Sequence, residues 1–469
     1  MMIRQLRTPL LIFFSAATIA LLHAQQKAPD VQLPNAPASN FAAQLQALPT
    51  TSTAPHNGST TERRLTLMDA EKLAIHDNPR VSAAHLLALV QHQVVRETHA
   101  AELPAATANV TAVDAKDGSR LSAGSLTASR LLEHAGAGAG FTLLITDFGK
   151  TGNLVASAKL DEKAQDANAL ATTEDIVLAA DQAFYNALEA QAQLQVAQEA
   201  VRTRQATQAQ VSSMAKNKLK SDLDTSFADV NLSQAQLLEL DAQSHVDATM
   251  AALDAVLGLD RAVQYDLVDS DAMVDKPPAD AVQLTQLALQ QRPDLQALNL
   301  SQQSYVKYSH AERDQMLPSI TAAGTAGSVP VRPAAYYSEN WWGAIGVNMS
   351  IPIFNGFLYS AQAKEAELHA KAKGEQGREL RDNIVRDVRT AWLAANTAYQ
   401  RMGVTRQMLD QANMALKLAQ TRYKLGLSSI VELSQAQFQQ TDAAVSNTNA
   451  RYGYRLALAT LNYETGTGP

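Results

Sequence analysis

The feature that most constrains this chain is an internal duplication. Each copy carries two prolines that are 25 residues apart, Pro79 with Pro104 and Pro293 with Pro318. Farther along, the copies match at a constant offset of 208 residues, which relates Gly258 to Gly466. The fold must therefore be built from two similar units rather than from one large globular core.

The N-terminal pattern, the composition and the duplication together predict five segments. Arg4 and Arg7 precede a short apolar stretch, a pattern typical of a secretory signal peptide. The stretch that follows it is rich in proline, alanine and serine, which favours an extended or disordered segment. The predicted segments are a signal peptide (1–24), an extended or disordered lead-in (25–64), a first repeat (65–260), a linker (261–280, the equatorial region) and a second repeat (281–466).

Each repeat reads helix, strand, strand, long helix, helix, which predicts an α+β fold that is mainly α. The first helices are expected over about 67–102 and 281–316, each ended by the proline that follows. Loops are expected over about 118–136 and 330–340. The predicted strands are 107–114, a stretch around 141–145, 319–329 and 341–353.

The strands alternate between apolar and small or polar residues. Ile345, Val347 and Met349 share one face, and Gly346 and Asn348 share the other. Strands of about 9–13 residues suit either a tilted crossing of a membrane or an ordinary sheet with one solvent face. In the membrane interpretation, four aromatic residues are expected at the interface: Tyr336, Tyr337, Trp341 and Trp342.

The helices carry a seam of small apolar residues at alternating spacings of four and three. The seam is typical of coiled coils, and it runs through Ile176, Ala180, Ala183, Ala187, Ala190, Leu194, Ala197 and Val201, with a second copy from Ile384 to Ala419. A helix over 150–216 would be about 100 Å long at 1.5 Å per residue. Such helices suit either association into a closed bundle or a generic antiparallel coiled coil.

Composition and motifs exclude several classes of function. The formal charge is -7 and the basic residues form no stripe, which argues against a nucleic-acid binder. Cysteine is absent, so disulfides, thiolate metal sites and a lipid anchor on cysteine are excluded. No phosphate loop, zinc-protease or serine-hydrolase motif is found. We therefore expect no catalytic residues, no metal site and no cofactor.

The chain resembles the TolC family of outer-membrane efflux proteins over nearly all of residues 65–466. The resemblance rests on the duplication, on Ile351-Pro352-Ile353-Phe354-Asn355-Gly356 at a strand end, and on the turn from Arg422 to Leu433. It implies a homotrimer in the cell outer membrane. Each protomer would give four strands to one twelve-stranded transmembrane β-barrel, and the helices would form a trimeric α-helical barrel through the periplasm.

The resemblance also implies a function. The trimer would be the exit duct of a tripartite efflux or type I secretion system. Its partners would be a periplasmic adaptor protein, an inner-membrane pump of the RND, ABC or MFS type, and outer-membrane lipid. The alternative is a soluble periplasmic coiled-coil adaptor or scaffold.

The turns between the long helices are the expected periplasmic tips. By resemblance the adaptor would contact Lys218, Leu219, Ser221, Gly426, Leu427 and Ser429. Lys218 stands where the second copy has Gly426, so the first tip is expected to turn differently. The alternative for its lysines is a solvated turn.

The resemblance places the gate of the duct at the same end. Glu432 falls on an aperture acid, Tyr423 on a linking tyrosine, and Asp224 on the acidic partner of that tyrosine in the first copy. Ser428 and Gln435 depart from the family's arginine and acid at two further gate positions. The alternative is that Asp224 and Glu432 only solvate a turn and cap helices.

Overall fold

The structure is a computed structural model. It describes residues 63–114, 120–123, 127–130, 134–259, 265–269, 276–278, 280–331 and 340–467. The predicted signal peptide and nearly all of the predicted lead-in lie outside the described residues, and so do Tyr336 and Tyr337.

The described part of the first half contains four helices and six short or medium strands. In chain order they are β1 (Arg63–Leu65), α1 (Leu67–Asp77), α2 (Pro79–Ala100), β2 (Ala105–Val113), β3 (Arg120–Ala123), β4 (Thr127–Arg130), β5 (His134–Thr146), α3 (Lys150–Lys216), α4 (Asp222–Val256) and β6 (Tyr265–Leu267).

The described part of the second half repeats the order of the four helices, with two strands between the second and third. Its elements are α5 (Ala281–Gln291), α6 (Pro293–Asp314), β7 (Ser319–Val331), β8 (Trp341–Ser350), α7 (Leu358–Lys424) and α8 (Ile430–Thr465). In both halves the first three helices have 11, 22 and 67 residues. The structure is mainly helical, as predicted.

The prediction of one continuous first helix in each repeat was wrong. A break separates α1 from α2 at Asn78, whose φ of -70° and ψ of 123° are extended, and a break at Arg292 separates α5 from α6. Each break precedes a proline, which has no N–H to donate and disfavours helical backbone in the residue before it. The Asn78 side chain compensates by accepting a hydrogen bond from the Arg80 N–H at 2.9 Å.

The predicted seam lies on the inner side of the long helices. Ile176, Ala180 and Ala187 in α3, and Val388 and Ala395 in α7, are buried. Alanine at these positions lets neighbouring helix axes approach closely, because there is little side chain to separate them. The largest described apolar cluster lies where α1, α3, α4 and the β1–β6 pair meet, around Phe184, Leu253 and Leu257.

The two repeats share one four-stranded antiparallel sheet with the order β2-β5-β7-β8. The pairing of β5 with β7 joins the first repeat to the second. A separate two-stranded hairpin, β3 with β4, and the start of β5 lie in the segment predicted as a loop. That prediction was wrong for these residues because their alternation is short and interrupted.

Within the described residues, the helices show no stretch with the length and apolar character needed to cross a membrane.

Candidate functional site

The two turns that join the long helices pack together. We call residues 217–221 the first tip and residues 425–429 the second tip. A buried apolar cluster just above the turns contains Val211 and Ala228 of the first hairpin together with Ala419, Tyr423 and Ile430 of the second. The tips therefore form one end of the molecule rather than two independent loops.

Both tips have the same backbone turn. In the second, the Leu427 N–H donates to the Arg422 carbonyl at 2.8 Å, and the Gly426 N–H donates to the Tyr423 carbonyl at 3.0 Å. This pair of bonds is a Schellman motif, with Gly426 left-handed at a φ of 74°.

The prediction that the first tip turns differently was wrong. The Leu219 N–H donates to the Met214 carbonyl at 2.9 Å, and the Lys218 N–H donates to the Ala215 carbonyl at 2.8 Å. Lys218 takes the left-handed conformation at a φ of 58°. The left-handed backbone costs a lysine about 1 kcal/mol, and the hydrogen bonds of the turn offset this cost.

Asp224 belongs to a capping box at the start of α4. Its carboxylate accepts from the Ser221 N–H at 3.1 Å and from the Ser221 hydroxyl at 2.9 Å, while the Asp224 N–H donates to that hydroxyl oxygen at 3.2 Å. This reciprocal pattern satisfies backbone donors that a helix start leaves open. In a single chain, Asp224 therefore caps a helix, as the alternative interpretation expected.

Glu432 occupies the equivalent position at the start of α8. Its N–H donates to the Ser429 hydroxyl at 3.3 Å, and its carboxylate lies 3.3 Å from Nε of Arg422. Both charged side chains are partly exposed. The pair is thus a local ion pair across one hairpin, and water and salt weaken it.

Tyr423 has the most unusual environment of the predicted gate residues. Only 1% of it is exposed, and Nζ of Lys220 lies 4.4 Å from its ring centroid. Burial, and then the charge of Asp224, raises the pKa of the Tyr423 phenol. Among the described residues, its hydroxyl finds no hydrogen-bond partner. The link to Asp224 that the resemblance implied is therefore not formed in this structure.

Two hydrogen bonds between the hairpins were missed by sequence reasoning. The Asn231 amide donates to the Ser434 hydroxyl at 2.6 Å, and the Gln437 amide donates to the Thr207 hydroxyl at 2.9 Å. Arg204 is buried beside them and donates to the Asn231 carbonyl at 3.2 Å. The available signal was the presence of polar residues inside an otherwise alanine-rich stretch.

The sheet at the other end of the long helices has two chemically different faces. The strand registers place the β8 residues Ile345, Val347 and Met349 on one face, with Phe141 and Leu143 of β5. All three of those β8 residues are exposed in the single chain. The opposite face is formed mainly by glycine, alanine, threonine, serine and asparagine residues, with Trp342 and Leu144 among them.

Trp341 and Trp342 lie on opposite faces of the sheet. Trp341 shares the apolar face and is exposed. Trp342 pairs with Gly327 and lies on the face of small residues. The two tryptophans therefore do not share one face of the sheet, because neighbouring residues of a strand point to opposite sides.

A second group of exposed apolar residues lies where the sheet ends and α7 begins. Ile353, Phe354 and Phe357 are all highly exposed, and the rings of Phe354 and Phe357 meet edge to face at 5.7 Å. Phe357 has a left-handed φ of 65°. The group follows β8 in the chain and adds to the exposed apolar surface of the single chain.

The structure joins a four-stranded sheet to two helical hairpins, each with one 67-residue helix, and solved outer-membrane channels share this fold. CusC has a TM-score of 0.75 at 19% identity, covering 86% of this chain and 92% of that one. VceC of Vibrio cholerae has a TM-score of 0.71 at 19% identity, covering 85% and 96%. The Campylobacter jejuni channel CmeC has a TM-score of 0.75 at 17% identity, covering 86% of each chain. At these identities the likeness establishes the fold.

The amino-acid sequence also matches known proteins. Residues 284–467 match the family model described as outer membrane efflux protein. TolC of Salmonella enteritidis is 26% identical over 160 residues, 34% of this chain and 33% of that protein. TolC of Vibrio cholerae serotype O1 is 24% identical over 320 residues, 66% of this chain and 72% of that protein. The match thus spans about a third of the Salmonella relative.

These matches agree with the predicted resemblance. The chain is similar in sequence to the outer membrane efflux proteins over residues 284–467 and to TolC relatives, and its fold resembles those of solved outer-membrane channels.

Proposed function

We propose that this chain is one protomer of a homotrimeric duct in the outer membrane, through which substrates leave the periplasm. The duct would conduct passively, as the last part of a tripartite efflux or type I secretion system. An inner-membrane pump of the RND, ABC or MFS type and a periplasmic adaptor would complete the system. The chain would reach the envelope through its predicted N-terminal signal peptide.

One observation carries this proposal, namely the exposed apolar face of a sheet whose edge strands are β2 and β8. Every residue of β8 is exposed in the single chain, including Ile345 and Val347. Edge strands with open hydrogen-bonding groups invite pairing with another chain. Pairing of β8 with β2 of the next protomer in a closed ring of three would give twelve strands and leave no edge. The apolar face would then meet lipid, and the small-residue face would line water.

The long helices support the same assembly. Apolar side chains remain exposed along α4 and α7 in the single chain, namely Leu223, Val230, Leu237, Leu240, Val404, Met414 and Leu418. Exposed apolar area of this extent marks an interaction surface. A ring of three protomers would cover these residues with helices of the neighbouring copy. The helices would then span the periplasm, since 67 residues reach about 100 Å.

The tips would act as the periplasmic gate and as the adaptor contact. Three copies of Glu432 around the axis would repel one another and favour cations. Asp224 and Tyr423 would take part in closure through the ends of α4 and α7. Lys218, Leu219, Ser221, Gly426, Leu427 and Ser429 would form the adaptor contact, because all six are exposed at the tips. Opening would be a repacking of hairpins driven by partner binding.

The central test is electrical. We expect the detergent-purified protein to be a trimer and, in planar lipid bilayers, to produce discrete single-channel currents. A periplasmic scaffold would instead be extracted from membranes by carbonate and would leave the bilayer silent. A monomeric, carbonate-soluble and non-conducting protein would refute the duct.

A second test addresses the gate. Ser434→Ala removes the acceptor of the Asn231 amide between the hairpins, so the closed tip should weaken and the mean current should rise. Ser226→Ala is a matched control, because the Ser226 hydroxyl only donates to the Asp222 carbonyl of its own helix at 3.1 Å. Equal currents in both variants and the wild type would contradict a gate held by hairpin-to-hairpin bonds.

A further inference from the structure

The Trp342 indole lies across the backbone of two neighbouring strands. Trp342 on β8 is in register with Gly327 on β7, and Gly327 is in register with Gly138 on β5. A Cβ atom added at Gly327 would lie 2.8 Å from Cζ2 of the indole, and one added at Gly138 would lie 3.3 Å from the same atom. The ring therefore extends from its own strand over β7 and reaches β5.

Glycine is required beneath the ring. Contacts of 2.8 Å are shorter than real Cβ atoms tolerate. A side chain at Gly327 would therefore push the indole away, and it would also meet the Ala137 carbonyl oxygen of β5 at 2.8 Å. Glycine inside a strand costs stability and often marks a close approach of another group. We call Trp342, Gly138 and Gly327 the tryptophan shelf. It is a built feature, because three strands contribute to it in register.

The shelf borders an open cavity. The cavity has a volume of about 440 Å³, within the general range of small-molecule sites. Its lining includes Trp342 and the polar side chains of Thr107, Asn109, Thr111 and Thr325, and every described residue that lines it is uncharged. Trp342 remains 45% exposed. One side of its ring contacts glycine backbone, and the remaining ring surface is accessible from the cavity.

We propose that the tryptophan shelf is a stacking site for planar aromatic compounds that pass through the duct. An exposed indole binds flat aromatic rings by offset stacking and attracts cations to its face. The neighbouring hydroxyl and amide groups supply hydrogen bonds without favouring either sign of charge. The preferred ligands are therefore planar aromatic molecules that are neutral or singly cationic.

The stacking site rests on the proposed function in one respect, namely that the shelf would face the interior of the duct. In a closed barrel the small-residue face would be the inner wall, and one shelf per protomer would line the duct. The ring leans over β7 and β5 of its own chain, away from the β8 edge at which the next protomer would pair. Each site is therefore complete within one protomer.

The test uses the detergent-purified full-length protein and proflavine, a planar tricyclic cation, followed by fluorescence anisotropy. We expect saturable binding to the wild type and roughly tenfold weaker binding to Trp342→Leu, which keeps an apolar side chain but loses the stacking face. Gly327→Ala should weaken binding similarly, because its methyl group would displace the indole. Gly346→Ala is the matched control, since a Cβ there meets nothing within 4 Å. It should bind like the wild type.

A second readout locates the bound dye. The chain has three tryptophans, so Trp341→Phe with Trp392→Phe leaves Trp342 as the sole emitter. Proflavine should quench this emission saturably, and 1-adamantanol, a compact non-planar alcohol, should not. Equal affinity in the wild type and Trp342→Leu, or quenching only in proportion to dye concentration, would overturn the proposal.

Failure of the shelf and failure of the duct give different results. A conducting trimer without saturable dye binding refutes only the stacking site. Saturable binding to Trp342 in a protein that never conducts supports the site and refutes the duct.

Discussion

Arg292 links the junction of α5 and α6 to the end of α8. Its removal should lower the local opening free energy of that junction and of the end of α8. Its Nη1 donates to Glu464 at 2.5 Å, and its Nη2 and Nε donate to the two carboxylate oxygens of Asp294 at 2.8 and 3.2 Å. The Arg292 side chain is 11% exposed and that of Glu464 is 18% exposed. Arg292→Met keeps much of the aliphatic stem and removes all three charged hydrogen bonds.

The expected cost follows from this burial. Breaking a fully buried ion pair costs roughly 3–5 kcal/mol, because a charge is left without its partner. Asp294 is more exposed than the other two groups, and Glu464 is able to take up a proton, so part of that cost is relieved. We therefore expect a loss of about 2–4 kcal/mol in the local opening free energy.

Hydrogen exchange measured by mass spectrometry reports this free energy directly. At about 1.4 kcal/mol per tenfold change, protection in residues 281–300 and 458–467 should fall roughly 30-fold or more. Arg386→Met is the matched control. Arg386 also contacts a neighbouring carboxylate at 2.8 and 3.1 Å, but its side chain is 66% exposed. Its loss should change protection less than about fivefold.

The pH dependence supplies an independent check. Burial raises the pKa of Glu464, and Arg292 opposes that rise. Without Arg292 the carboxyl should bind a proton more readily in the folded chain than in the unfolded chain. The defect of Arg292→Met should therefore shrink as the pH falls from 7.5 to 5.5. A loss of protection below threefold, or an equal loss in Arg386→Met, would refute the argument.

Three further predictions concern other sites. Burial, and then the charge of a neighbouring glutamate, raises the pKa of Asp181 to about 7, so stability should fall as the pH rises from roughly 4 to 7. In Asp181→Asn, the change in the free energy of unfolding between these pH values should be smaller by on the order of 1–2 kcal/mol, a figure reduced for solvent screening. Thermal midpoints at pH 5 and pH 7.5, compared between the variant and the wild type, measure this difference. Gly426→Ala should weaken protection of its tip by about 1 kcal/mol, and Lys218→Gly should strengthen the other tip by about 0.5–1 kcal/mol, because both positions are left-handed. Gly258→Ala should lower the thermal midpoint, because its Cβ would lie 2.6 Å from a carbonyl oxygen, whereas Gly152→Ala, which has open space, should leave it unchanged or higher.

The long helices were the most predictable part of the fold. The helix predicted over 150–216 is α3, with the same bounds, because an alanine seam with regular spacing persists through many turns. The approximate positions of the strands were predictable from the sequence, but their first and last residues were not. β5 begins at His134, inside a predicted loop, because its alternating glycines and alanines carry little of the apolar contrast that marks a strand.

The candidate site was less predictable than the fold. The opposite faces of Trp341 and Trp342 could have been read from strand alternation alone. The left-handed Lys218 could not, because no local preference of lysine predicts it. The hairpin-to-hairpin bond of Asn231 to Ser434 also depends on tertiary packing, since the two residues are 203 positions apart.

The breaks at Asn78 and Arg292 show how the two repeats diverged around one structural requirement. The Asn78 amide donates to the Val256 carbonyl at 2.8 Å, and Arg292 donates to the Glu464 carboxylate, so each break is tied to the last helix of its own repeat. Val256 and Glu464 are related by the 208-residue offset. The contact between the break and the last helix is at the same position in both repeats, but it is a neutral hydrogen bond in the first and an ion pair in the second.

The end of the molecule that carries the tips differs, because in the described part of the chain some buried hydroxyls beside its satisfied caps and turns have no hydrogen-bond partner. Among the described residues, the hydroxyls of Thr225, Tyr423 and Ser428 are buried without hydrogen-bond partners. Each such group costs roughly 1–3 kcal/mol, and a stable helix end has no reason to keep three of them. A repacking that gave these hydroxyls partners would recover that energy. The end where we place the gate therefore holds packing that a rearrangement could improve, whereas the contacts at Asn78 and Arg292 fix the opposite ends of the hairpins.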